Sequence, residues 1–432
     1  MTAAMLESRV RPARLTAILG GSAGNLVEWY DWYTYSAAAL YFAPVFFPKG
    51  DRTAQLLESA AVFAVGFFAR PVGAWLMGGY ADRSGRKAAL TLSVTLMCIG
   101  SLVIALTPGA ADIGAAAPLI LLSARIFQGL SLGGEYGASA TYLSETAGRA
   151  HRGFWSSFSY VTVIGGQLLA LAVLIALQHM LPPSAMQSWG WRVPFALGGL
   201  LALVVYWLRR HMPESPSFVS DGVDDPSRGS LRLLWTRHRR ETWTIFAFTS
   251  GGSVLFYVYA TYMQKFLVNT AGFSRADATE LSAATLLAFM LAQPFCGWLS
   301  DRWGRRTMLL IAFGGGAVST WPILERVAVA KSMSTAFVLI FTALMIESAY
   351  TSISAVVKAE LFPAHLRSLG VALPYAVANA LFGGTAEYVA LWFKSAGIER
   401  GFYVYASGLA VVSFCTALAM RDTAAHSQIL EE

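Results

Sequence analysis

Apolar residues along this chain come in blocks of roughly twenty, broken by short polar or basic segments. Blocks of that length cross a hydrocarbon layer of ~30 Å as helices. A β-barrel does not fit, because barrel strands run ~10 residues and alternate in polarity. The pattern predicts an all-α integral membrane protein with twelve spans. The first six are residues 17–42, 56–81, 88–107, 118–144, 154–179 and 191–208. The second six are 243–269, 278–300, 308–324, 334–361, 368–393 and 402–420. Between the two sets lies the one long polar stretch, with Pro213, Pro216, Pro226 and clustered Arg. The expected organisation is a tail over 1–16, a six-helix bundle over 17–208, a linker over 209–242, a second bundle over 243–420 and a tail over 421–432.

Composition agrees. The chain is 56% hydrophobic and 13% charged, with mean hydropathy +0.52, whereas soluble domains carry ~25% charged residues. The net charge of +7 could point to nucleic acid, but Lys and Arg collect in the short connections. Positive-inside sorting explains that placement and puts both termini in the cytosol. Cys98, Cys296 and Cys415 sit inside apolar blocks, so no disulfide framework is expected. Arg9, Arg11 and Arg14 precede the first block with no cleavage site, which reads as a tail and an uncleaved first helix.

One connection occurs twice. Gly78-Gly-Tyr-Ala-Asp82-Arg83-Ser-Gly-Arg86-Lys follows span two, and Gly297-Trp-Leu-Ser-Asp301-Arg302-Trp-Gly-Arg305-Arg follows span eight. A second echo, Glu145 with Arg152 and Glu360 with Arg367, lies at the ends of spans four and ten. Repeated halves of this kind build transporters that rock about a central site. Gly78 and Gly297 allow close backbone approach. Asp82 and Asp301 can pair with neighbouring Arg and face the positive N-terminal end of a helix, and spans five and eleven both begin on that side. These charges are expected to latch the two bundles there; the plainer alternative is a positive-inside turn.

The paired loops resemble the signature loop of the major facilitator superfamily. Gly24-Asn-Leu-Val-Glu28-Trp-Tyr-Asp31 in span one resembles the first helix of its metabolite–proton symporter family. So does Arg125-Ile-Phe-Gln-Gly-Leu-Ser-Leu-Gly-Gly-Glu135-Tyr-Gly in span four. Segments 261–265, 350–354, 375–379 and 386–390 resemble the dicarboxylate carriers of that family. The resemblance implies a monomer in a bacterial inner membrane, importing α-ketoglutarate or a related dicarboxylate with protons, with no cofactor and no enzymatic activity. Another cargo (a tricarboxylate, a shikimate-like acid, a zwitterionic osmolyte), an efflux antiporter and a non-transporting sensor are the alternatives.

Charges within spans narrow the site, since each costs at least ~2.5–3.5 kcal/mol at mid-bilayer. Counting ~1.5 Å per residue places Asp31 roughly 21 Å up one side and Arg125 about 10 Å down the other, at nearly one level. An acid on the first helix and an Arg on the fourth commonly couple protons in the superfamily, so the resemblance points to Asp31 and Arg125, with Glu28 as second choice. A static ion pair is the alternative. Arg70, before Pro71, is suited to fork-like capture of a carboxylate, or else pairs with Glu28 or Glu135. Lys265 is expected near an outer end, steering anions, binding a carboxylate or snorkelling. Lys358 is expected in the gate network. Tyr33, Tyr160, Gln167, Tyr257, Tyr262, Tyr350 and Asn379 are candidate cavity-lining groups. Glu347, mid-span, would repel a dianion unless protonated or paired with Lys265 or Lys358. Gly314-Gly-Gly is no phosphate loop, lacking the Lys-Ser/Thr that would follow it.

Overall fold

A computed structural model describes residues 3–84, 86–132, 149–210 and 231–429. Its principal helices are α1 (Ala3–Phe46), α2 (Arg52–Ser84), α3 (Arg86–Leu106), α4 (Ala116–Leu132), α5 (Arg152–Met180) and α6 (Arg192–Arg210). The second half holds α7 (Arg239–Asn269), α8 (Arg275–Trp303), α9 (Arg305–Ala328), α10 (Met333–Glu360), α11 (Leu366–Ser395) and α12 (Arg400–Ala419). Among the described residues eight of these are long and apolar enough to span a membrane, and α6 forms a bent span with Pro183–Gly190. The described apolar parts of α3 and α4 are shorter. Their outer faces carry Trp75, Leu106, Trp207, Leu291 and Val318, all well exposed, as lipid-facing surfaces do. The protein is therefore a multi-pass integral membrane protein.

Two boundaries differ from expectation. Helical backbone begins at Ala3 in the segment expected as a tail. The linker resumes as a short helix, Leu231–Arg237, and α7 starts at Arg239. The helix signal there was masked by the Arg-rich composition, since Arg is itself a good helix former.

The helices α1–α6 pack on one another, as do α7–α12, and the halves meet where α5 lies along α8 and α2 lies against the end of α11. Small residues permit the closest approaches. A methyl on Gly129 of α4 would stand 2.1 Å from the Gly66 carbonyl of α2, and one on Gly153 of α5 would stand 2.6 Å from the Gly297 carbonyl of α8. Between the halves run α1 and α7. The most apolar stretch of α7 is 83% buried, against 33% for the peripheral α12. Three long helices of the second half are interrupted. π-helical turns occupy Tyr257–Tyr262 in α7 and Asn379–Gly383 in α11, and α10 breaks at Ser352 and Ile353. Such interruptions disturb the backbone ladder and cluster at functional sites.

Candidate functional site

The centre of the first half is built on α1, whose residues 27–43 are buried on every face. Trp32 stands at its middle, packed by Phe63 at 5.4 Å and Phe67 at 4.9 Å between ring centres. Two guanidiniums lie over this indole. The Arg70 carbon Cζ is 4.0 Å from the ring centre and that of Arg125 is 3.8 Å. Arg70 also lies 4.0 Å from the Phe67 ring, with Glu28, Tyr257 and Tyr375 in its electrostatic neighbourhood. Both arginines are buried, and the Nε and Nη2 of each find no hydrogen-bond partner among the described residues. Buried guanidinium N–H groups without acceptors are costly, so this arrangement suits an anion.

Asp31 and Arg125 do not touch directly: Gln128 stands between them. Arg125 Nη1 donates to Gln128 Oε1 at 2.8 Å, and Gln128 Nε2 donates to Asp31 Oδ2 at 2.6 Å. Ser101 of α3 donates to the other Asp31 oxygen. The direct pair inferred from equal depth is thus a three-residue relay. Depth places two residues at one level but does not fix which way each helix turns its face.

From the second half, Phe256 and Tyr257 of α7 meet Tyr160 and Phe67, with ring centres 5.6 and 5.3 Å apart. Among the described residues Tyr33 and Tyr262 carry buried hydroxyls without a hydrogen-bond partner, the carbonyl oxygen of Gln167 is likewise unsatisfied, and the Tyr257 hydroxyl lies toward Arg70 and Asn379. Asn379 accepts from Ser253 at 2.9 Å, joining α11 to α7. Tyr350 packs against Phe248 and Phe313 within the second half.

Lys265 neither snorkels nor steers. It is buried and ion-paired with Glu387 of α11 at 2.5 Å, and it donates to Ser36 of α1 at 2.7 Å. Lys358 donates to Ser354 at 2.7 Å and sits 4.1 Å from the Tyr375 ring centre, inside the second half. Glu347 pairs with neither lysine; both its oxygens are buried without a hydrogen-bond partner among the described residues.

At the end of the molecule that carries the duplicated loops, Asp301 of α8 accepts backbone N–H bonds from Gly153 at 2.8 Å and Phe154 at 2.9 Å, the first turn of α5. Arg305 donates to Asp301 at 2.8 Å and to Ser300 at 2.6 Å, and lies 3.8 Å from Glu360. Arg152 is buried and bears electrostatically on Glu360. One expected member stands elsewhere. Arg302 lies over Trp298 at 4.0 Å on the helix's outer side. Arg367 binds the carbonyls of Phe362 and Gln428. The segment expected as a free tail folds back here, with Thr423 donating to Glu360 at 2.6 Å and Ile429 buried. Gly78, Asp82, Arg83, Arg86 and Glu145, as side chains, lie outside the described residues.

Two tandem halves, a buried acid–amide–arginine relay and two buried guanidiniums over one indole are what a carrier of anions would need. Comparison with known proteins agrees. The family model described as "Sugar (and other) transporter" matches residues 16–222 and 220–427. The chain belongs to that family, within the major facilitator superfamily. It is 53% identical to the alpha-ketoglutarate permease of Escherichia coli (strain K12), over 94% of this chain and 93% of that one. It is 31% identical to the citrate-proton symporter of Klebsiella pneumoniae, covering 86% and 84% of the two chains. Among solved structures, the partially occluded inward open xylose transporter XylE from E. coli superposes with TM-score 0.75 at 19% identity, covering 93% and 96%. That likeness fixes the fold as twelve helices in two six-helix bundles.

Proposed function

We propose that this protein imports α-ketoglutarate or a closely related dicarboxylate together with protons, by alternating access. The observation that carries the reading is the pair of unsatisfied guanidinium edges beside Trp32, next to the Asp31–Gln128–Arg125 relay. A family relative at 53% identity that is an alpha-ketoglutarate permease supports the cargo. Arg70 takes a substrate carboxylate. Asp31 is the proton-coupling acid with Glu28 beside it on the helix, and drawing Arg125 away from Gln128 leaves Asp31 without its counter-charge. Tyr33, Tyr160, Gln167, Tyr257, Tyr262 and Asn379 line the path. The duplicated loops and both termini face the cytosol, in keeping with their basic residues. The carrier works as a monomer in the inner membrane, needs no cofactor and catalyses no covalent reaction.

A second reading has one observation in its favour. The unpaired Glu347 would suit a zwitterionic cargo, and a proline/betaine transporter of E. coli is 29% identical over 94% of this chain.

The test is uptake of labelled α-ketoglutarate into proteoliposomes under an inward proton gradient, with excess succinate, citrate or betaine as competitors. Accumulation that collapses with a protonophore and yields to succinate supports the proposal. Competition by betaine alone transfers the cargo to the zwitterions. Asp31→Asn abolishes uphill accumulation if the acid couples protons; unchanged accumulation removes it from the mechanism.

A further inference from the structure

Proton-coupling and substrate-binding arginines would ordinarily be separate, yet here both lie over one ring. The Arg70 and Arg125 Cζ atoms are 4.0 and 3.8 Å from the Trp32 centre, so they stand no farther apart than those two distances laid end to end. Their free atoms also match. In each, Nε and Nη2 are buried with no well-formed hydrogen bond among the described residues, the Tyr257 hydroxyl lying beside Arg70, and those two nitrogens form the side-on edge of the guanidinium that takes both oxygens of one carboxylate. The Nη1 of Arg125 is engaged elsewhere, on Gln128. Trp32 is itself buried and fixed by Phe63 and Phe67, so the spacing cannot drift easily.

We propose that Arg70 and Arg125 form a two-point clamp for the two carboxylates of one short dicarboxylate, with Trp32 as the spacer that selects chain length. The clamp rests on the organic-anion reading above and narrows it. Two cations this close in a water-poor interior repel, and a single dianion satisfies both edges at once. A monocarboxylate fills one edge and leaves the other buried without an acceptor, which is how buried polar groups discriminate against incomplete ligands. The indole π system supports both guanidiniums while the anion is absent. Because Arg125 also holds Gln128, and Gln128 holds Asp31, a carboxylate on Arg125 is felt at the proton-coupling acid through one intervening amide. Trp32 and Gln128 are positioning residues in this scheme, and Arg125 has two tasks.

Equilibrium counterflow tests the clamp without any proton gradient. Proteoliposomes loaded with unlabelled α-ketoglutarate exchange it for label, and glutarate is compared with valerate, its monocarboxylate counterpart of equal length, as inhibitor. In the wild type glutarate inhibits at a concentration roughly tenfold or more below that of valerate, the factor expected from one charged hydrogen-bonded contact. Arg70→Lys and Arg125→Lys each bring the two inhibitors close to parity, while Trp32→Phe shifts the chain length at which a dicarboxylate inhibits best. An Arg125→Lys variant that exchanges and keeps the full preference overturns the clamp. Where a variant does not fold, the melting temperature of the wild type decides: equal stabilisation by glutarate and valerate overturns the proposal. A wild type that exchanges no α-ketoglutarate, yet is stabilised by glutarate over valerate, overturns the cargo assignment and supports the clamp.

Discussion

The two ends of the molecule both carry contacts across the seam, but with different chemistry. At the loop end, the charged contact crosses the seam: Asp301 in the second half holds the backbone N–H groups of Gly153 and Phe154 in the first. A carboxylate at a helix N-terminus also gains from the helix dipole. At the opposite end, the buried charged contact stays within the second half, between Lys265 of α7 and Glu387 of α11. An exposed contact, His179 of α5 with Glu280 of α8 at 3.4 Å, does cross the seam. The buried groups of the first half that cross there are neutral: Ser36, which accepts from Lys265 and donates to Glu387 at 3.1 Å, and Gln178, which donates to Thr279 at 3.1 Å. Opening the loop end separates a carboxylate from its donors. Opening the other end releases hydroxyl and amide contacts while the ion pair travels intact with its own half. Hydrogen bonds to a charged group contribute about 1.5–3 kcal/mol each and neutral ones about 0.5–1.5; both ends break bonds of the first kind, but at the far end the two charges keep each other as partners when Ser36 leaves.

The largest expected effect comes from Glu387→Gln, and it falls on stability. The substitution leaves Lys265 buried without a counter-charge, which costs about 3–5 kcal/mol. The melting temperature falls sharply. Replacing both partners, with Lys265→Met and Glu387→Leu together, recovers most of that loss, because a buried pair is often close to neutral against apolar groups of similar size. Glu387→Gln keeps an oxygen for Ser36 to donate to and leaves the balance of ends nearly unchanged, while the double substitution removes both partners of Ser36 and shifts that balance as Ser36→Ala does. A shift in end-to-end accessibility on Glu387→Gln would show that the pair works across the seam after all.

Asp301→Asn comes next and acts on the conformational balance. The neutral amide keeps an acceptor for one backbone N–H but loses the ionic component and the Arg305 contact at 2.8 Å. A loss of about 2 kcal/mol corresponds to about thirtyfold in the balance of states. Alkylation of a cysteine introduced at Ser156, buried close to this contact, should quicken from the loop side by a factor of that order. An unchanged rate would mean that the Gly153–Gly297 backbone contact alone holds this end shut.

The loop end was the more legible of the two from sequence. A repeated acid among arginines, beside a helix start, has few uses, and Asp301 lies where the dipole argument expects it. Arg302 was misread because a helix turns about 100° per residue. One step from Asp301 carries it to the outer face, whereas Arg305, one turn on, returns to the contact. At the opposite end the decisive partner went unrecognised. Glu387 lies in a segment whose resemblance was noted, but its charge is joined to Lys265 only by the packing of α7 against α11, which no local pattern encodes. Gln128 and Ser101 were missed for the same reason: an amide or hydroxyl in an apolar block is unremarkable until a neighbouring helix supplies its partner. The last segment shows no pattern that would announce the carboxylate Thr423 finds at Glu360.

The smallest effect, and the sharpest on the comparison, belongs to Ser36→Ala. Ser36 is buried on α1 and ties it to the ion pair of the other half through one accepted and one donated hydrogen bond. Its loss leaves Lys265 and Glu387 still paired with each other, so the melting temperature changes little. Only the seam weakens, by about 1 kcal/mol, or about fivefold in the population open away from the loops. The signature is opposite to that of Asp301→Asn: slower alkylation at Ser156→Cys from the loop side and faster alkylation of a cysteine at Tyr33 from the far side. The two substitutions combined should largely cancel, because they remove support from opposite ends of one rocking equilibrium. If Ser36→Ala instead destabilises the fold as strongly as Glu387→Gln, the three groups form one indivisible network, and the contrast between a charged seam and a neutral one fails.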